Sequence, residues 1–147
     1  MCRSLIALLL LSNGLANAAS CQSVAENLNR QLRPATNASE LTDILKSLNQ
    51  TGQLPAKFVK KRDAQAAGWR PGSSLWQSLP GKSIGGDRFG NRENRLPRNQ
   101  YQEADLDYQG GKRGAKRIVF NKNGPRFITV DHYQTFTEVA ACQSLRK

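Results

Sequence analysis

Apolar positions along this chain change their period once, near Gly85: helical spacing dominates before it and alternation after it. Val24, Leu28 and Leu32 recur at i, i+4 and i+8, a helical stripe that ends at Pro34. Asn37 and Glu40 then stand at capping-box spacing ahead of Leu41, Ile44, Leu45 and Leu48, with Gly52 as the stop. Lys61 to Ala67 predicts a shorter helix closed by Gly68, and Leu75, Trp76 and Leu79 a further one closed by Pro80-Gly81.

Beyond Gly85 the pattern is that of strands. Tyr101 to Tyr108 places Ala104, Leu106 and Tyr108 on one face and Tyr101, Glu103 and Asp105 on the other. Arg117 to Asn121 likewise separates Ile118 and Phe120 from Arg117 and Val119. Asn123-Gly124 predicts a hairpin turn of the primed type, followed by a strand from Arg126 to Asp131 and another from His132 to Val139. Helices followed by an antiparallel meander make an α+β domain. No internal repeat, low-complexity tract or linker divides it.

The first 18 residues read differently. Arg3, the apolar run Leu5 to Leu11 and the small-x-small closure Ala16-Asn17-Ala18 predict a secretory signal cleaved after Ala18. The run is too short to span a bilayer. The expected organisation is therefore signal 1–18, N-terminal extension 19–35 and one domain over 36–147, secreted or periplasmic. Cys2 leaves with the signal; in an oxidising compartment Cys21 and Cys142 are expected to pair. The alternative is that Ala19-Ser20-Cys21 is a lipoprotein cleavage site, with Cys21 lipidated and Cys142 left free.

Charge narrows the partners. With 22 Lys+Arg against 11 Asp+Glu in 147 residues, the chain carries a formal +11 and is drawn to polyanions. The one histidine, His132, suits proton transfer near neutral pH, and Glu103 is an acid placed mid-strand among cations. Arg113 and Arg117 flank a glycine-rich turn. One Glu, one His and several cations are what phosphodiester cleavage by an internal nucleophile requires: a base, an acid and charge stabilisation for the phosphoryl oxygens. One His and a Cys pair do not build a zinc cluster, and Pro80-Gly81-Lys82-Ser83 lacks the rest of a phosphate loop. Neither a metal nor another cofactor is expected.

Longer runs then carry a resemblance. These are Ala64-Gln65-Ala66, Gly68-Trp69, Pro80 to Asp87, Phe89 with Asn91-Arg92-Glu93, Leu96-Pro97, Glu103-Ala104-Asp105, Arg113, Arg117-Ile118 and Asp131 to Thr137. Over about Leu54 to Val139 the chain resembles the barnase-like family of secreted guanyl-preferring bacterial ribonucleases. The resemblance implies N-terminal helices on a twisted antiparallel sheet whose concave face binds RNA. It also implies Glu103 as general base, His132 as general acid, and Lys61, Arg113 and Arg117 as cations around the scissile phosphate. Phe89, Asn91, Arg92 and Glu93 would form a guanine loop, with Tyr133 lining the same pocket. The extension and the tail from Ala140 have no counterpart in that family, and a disulfide would tie them together.

The partner expected is RNA, with a small acidic barstar-like inhibitor in the producing cell, no membrane, and a monomeric state. The competing readings are a basic RNA-binding module of weak activity on the same fold, and a membrane-active cationic protein. The second needs a cationic amphipathic helix, which the Asn37–Thr51 segment, with Asp43 beside Lys46, is not.

Overall fold

The computed structural model describes residues 19–143; the predicted signal over residues 1–18 and the last four residues lie outside it. Among the described residues, three helices, one short 3-10 turn and six strands follow one another in the order the period change predicts. Helix α1 (Cys21–Gln31) begins at Ser20, whose Oγ accepts from Ser23 N at 3.0 Å. Helix α2 (Ala38–Thr51) begins at Asn37, whose side chain accepts from Glu40 N at 2.8 Å, and stops at left-handed Gly52. A short helix α3 (Lys61–Ala66) follows strand β1 (Phe58–Val59). The segment at Leu75 forms only a single 3-10 turn, Leu75–Gln77.

Strands β2 (Ser83–Phe89), β3 (Tyr101–Asp105), β4 (Arg117–Phe120), β5 (Arg126–Thr129) and β6 (Thr137–Glu138) form an antiparallel meander, and β1 adds in parallel beside β2. β2 escapes the alternation rule because Gly85 and Gly86 interrupt it with a bulge opposite Ala104 and Glu103. Gly85 has no alternative there: a Cβ would lie 2.6 Å from the Phe58 ring and 2.8 Å from Ala104 Cβ.

The register sorts the side chains into two layers. Ala104, Leu106, Ile118, Phe120 and Ile128 face α1 and α2, whose Val24, Leu28, Leu41, Ile44, Leu45 and Leu48 complete the main core. Full burial of residues such as Leu41 and Ile44 stabilises by about 1.5–3 kcal/mol each. The opposite face carries a smaller cluster of Leu96, Tyr101, Val119 and Phe127, against which Phe89, Tyr133 and Phe136 pack. Helices on one face thus leave the other free for Glu103 and Arg117.

Two expectations about turns are corrected. The β4–β5 hairpin exists, but neither Asn123 nor Gly124 has positive φ. Asn121 closes a turn by accepting from Gly124 N at 3.3 Å, its side chain accepts from Asn123 N at 3.0 Å, and Pro125 O accepts from Asn121 N. The strand expected from His132 to Val139 shrinks to β6, because Asp131 folds residues 131–135 into a turn instead.

The extension is built into the main core. α1 and the residue after it contribute Cys21, Val24, Ala25, Leu28 and Leu32 to it, and Cys21 is disulfide-bonded to Cys142 across 121 residues of chain. Ser20 bridges Gln143 in parallel, with Gln143 N donating to Ala19 O at 2.8 Å. A loop this long confines the unfolded chain, so reduction is expected to lower the unfolding free energy by about 2–4 kcal/mol. Urea unfolding with and without dithiothreitol measures this, and coincident curves would contradict it.

Candidate active site

Asp105 is the most constrained charge on the open sheet face. Its residue is 2% exposed, and it faces Arg117 directly in the β3–β4 register. Arg117 Nε forms an ion pair with Asp105 Oδ1 at 3.1 Å, and Arg113 reaches back across the glycine-rich turn to grip both oxygens at 2.7 and 2.8 Å. The bond to Asp105 raises the Arg113 pKa above its ordinary value. Arg117 is held further by the Gly114 and Lys116 carbonyls, to which Nη1 donates at 2.7 and 3.0 Å. Both arginines are fixed before any ligand arrives.

Glu103 lies two residues earlier on the same face. Its Oε1 is 4.0 Å from Arg117 Nε and accepts a short hydrogen bond from the Tyr133 hydroxyl. That hydroxyl in turn accepts from Arg117 Nε at 3.2 Å, and the Arg117 guanidinium lies 5.8 Å over the Tyr133 ring. Burial, with the Glu103 carboxylate as acceptor, pushes the Tyr133 hydroxyl up to about 12, so it stays a donor.

The turn that presents Tyr133 also presents His132. Both residues are left-handed, φ 55° and 73°, a conformation that costs about 1–3 kcal/mol per non-glycine residue and persists only where neighbours enforce it. Asp131 is the enforcer. Its oxygens accept from Thr129 Oγ1, Gln134 N, Thr135 N and Thr135 Oγ1 at 2.7–3.1 Å, and these bonds, Thr135 foremost, pull its pKa down to about 2. Thr129 Oγ1 accepts from Tyr133 N, and His132 N donates to Ala115 O. The His132 ring is left exposed, 4.8 Å from the Tyr133 ring.

His132 and Tyr133 share an open cavity of about 780 Å³ with Phe89, Asn91, Arg92 and Glu93. Phe89 stacks on Tyr133 at 5.5 Å. The loop after β2 is closed by the Asn91 side chain, which donates to Leu96 O and accepts from Leu96 N, so that side chain shapes the loop. Glu93 is exposed and paired with Arg95 at 2.8 Å, and Arg95 also donates to Gln134 O, joining this loop to the His132 turn. Glu103, Arg113, Arg117, His132 and Tyr133 are thus linked by contacts, and Phe89, Asn91, Arg92 and Glu93 line the adjoining cavity. Lys61 begins α3, its backbone N–H donates to Asp87 Oδ2 at 3.0 Å, and Asp87 stands opposite Glu103; the Lys61 ammonium makes no ion pair among the described residues.

Such an arrangement sets a carboxylate and two pre-fixed guanidiniums beside Tyr133, with an imidazole at the cavity that Tyr133 also lines, and known proteins are similar in sequence. A family model described as ribonuclease matches residues 43–140. This chain belongs to the ribonuclease family. Ribonucleases of Bacillus intermedius and Bacillus pumilus are each 43% identical over 91 residues, 59% of this chain and 56% of the relative. A ribonuclease of Heyndrickxia coagulans is 42% identical over 91 residues, 59% of this chain and 84% of the relative. The chain therefore spans little more than half the length of the two Bacillus ribonucleases.

In this ribonuclease-family chain, sequence alone assigns no role to Asp105, Thr129 or Asp131. Asp105 carried a usable signal, an acid on the Glu103 face with two arginines downstream; Asp131 did not, because the residues after it alternate like a strand. Among the described residues no group of His, Cys, Asp and Glu is arranged to hold a metal.

Asp131 gives the site a defined acid response. Its pKa is lowered on folding, so its contribution to stability is complete above about pH 4 and is lost as pH falls toward 2. Urea midpoints measured from pH 4.5 to 2.5 should fall less steeply for Asp131→Asn than for the parent. Parallel slopes would contradict the assignment.

Proposed function

We propose that this protein is a secreted, metal-independent endoribonuclease that cleaves single-stranded RNA on the 3′ side of guanosine. The observation that carries the reading is that Glu103, 4.0 Å from Arg117, is hydrogen-bonded to Tyr133, whose neighbour His132 lines the cavity that the Phe89–Glu93 loop also lines. Family membership supports RNA as the substrate.

In the first step Glu103 takes the proton of the ribose 2′-OH. The 2′-oxygen attacks phosphorus, and the P–O5′ bond breaks as His132 protonates the departing 5′-oxygen. Arg113 and Arg117, held by Asp105, stabilise the charge that builds on the phosphoryl oxygens, and Lys61 adds a third cation at the start of α3. The product is a 2′,3′-cyclic phosphate. Water then opens it to a 3′-phosphate, with His132 as base and Glu103 as acid. DNA lacks the 2′-OH and is bound without being cut.

Guanine is read by the loop. The Glu93 carboxylate is acceptor-only and suits the N1–H and N2–H₂ donors of guanine, whereas adenine presents an acceptor at N1. Arg92 and the stacked Phe89–Tyr133 pair flank the base, and Asn91 sets the loop's shape. The open, basic cavity is also suited to a small acidic, barstar-like inhibitor protein in the producing cell.

Glu103→Ala and His132→Ala are each expected to lower kcat on a guanylyl dinucleotide by about 10²–10⁴-fold. Unchanged turnover in both would remove the assignment. Glu93→Ala should instead erode the preference for guanosine over adenosine, read as the ratio of kcat/KM values for the two dinucleotides.

A further inference from the structure

Around the bulge of β2 lie two further cavities of about 460 and 400 Å³. They share Lys60, Gly86, Gln102 and Lys122, so they form one groove. Arg88 lines both this groove and the catalytic cavity, so the two adjoin at that side chain. Lys60, Arg88 and Lys122 are exposed and make no ion pair among the described residues. The one acid lining the groove is Asp63, 3.8 Å from Arg62.

The bulge creates the passage. Gly86 is left-handed at φ 103°, and the stem of Lys60 lies across it, with Cγ 3.4 Å from where a Cβ would stand. A side chain there would lie against the lysine stem and narrow the groove. Of the cations outside the groove, Arg113 and Arg117 are engaged by Asp105, Lys116 by Asp107 and Lys57 by Glu40. Among the described residues, Lys60, Arg88 and Lys122 thus present unpaired positive charge along the groove, which only one acid lines.

We propose that this groove is a secondary binding track for single-stranded RNA, in which Arg88, Lys60 and Lys122 hold phosphates several nucleotides away from the cleaved bond. The inference rests on the proposed ribonuclease reading and adds to it a dependence on substrate length. A dinucleotide never reaches the groove, whereas a longer strand gains phosphate pairings that strengthen as salt falls.

The test compares the disulfide-bonded parent with Lys60→Gln/Lys122→Gln, two exposed positions outside the catalytic cavity. The double variant should cleave a guanylyl dinucleotide at the parental rate and a 20-nucleotide single strand with kcat/KM about tenfold lower at low salt. Its salt slope on the long strand should be shallower by about 1.4, because each phosphate neutralised on a single strand adds about 0.7 to that slope. Lys60→Arg/Lys122→Arg should retain parental behaviour. Equal effects on both substrates, or no effect on the long one, would overturn the track. Direct binding of labelled RNA in a His132→Ala background separates the two proposals. If the parent cuts no RNA yet binding still depends on Lys60 and Lys122, the track stands and the ribonuclease reading falls. If the two lysines matter only for binding anionic phospholipid vesicles and not RNA, the track is overturned.

Discussion

The site depends on one buried carboxylate shared by two arginines. Asp105, Arg113 and Arg117 together carry one net positive charge, desolvated and fixed in place. Removing the acid would strand two partly buried guanidiniums, a change that typically costs about 3–5 kcal/mol. Strand register imposes the pairing, since Asp105 and Arg117 are direct neighbours on β3 and β4. A slip of one residue would turn Arg117 toward the helices and Ile118 toward solvent, so the hydrophobic core itself enforces the electrostatic arrangement.

From that fixed point the chemistry is assembled outward. Arg117 donates to the Tyr133 hydroxyl, which donates to Glu103, so one chain of hydrogen bonds links Arg117 to Glu103. Tyr133 belongs to the left-handed turn that also presents His132, and Asp131 holds that turn with four accepted hydrogen bonds. His132 and Glu103, the proposed acid and base, therefore sit on different elements yet share a single support. Phe89 stacked on Tyr133 extends that support to the loop carrying Glu93.

Much of this was legible in the residues. The α2 helix could be read from its cap, stripe and terminal glycine, because local signals and tertiary burial agree there. The two faces of β3 and β4 followed from alternation. Three features were not legible, for separate reasons. β2 is masked by two glycines that serve a bulge and a close approach to Phe58. The His132 turn looks like a strand because its determinants are side-chain to backbone bonds from Asp131, which periodicity cannot register. The β4–β5 turn carries an Asn-Gly pair, but Asn121 two residues earlier captures the backbone first. Among the candidate site residues, Glu103 and His132 stand out in the sequence because their chemistry is intrinsic; Asp105 and Asp131, which act through neighbours, needed the fold.

Within the positive charge, diffuse in composition, two arginines are fixed by Asp105, and Lys60, Arg88 and Lys122 line an open groove. Digestion of a defined single-stranded RNA in EDTA, with chemical identification of the new termini, tests the proposed chemistry most directly. The expected products are fragments ending in guanosine 2′,3′-cyclic phosphate that convert to 3′-phosphate, each paired with a 5′-hydroxyl. Fragments bearing 5′-phosphates, or cleavage abolished by EDTA, would contradict it.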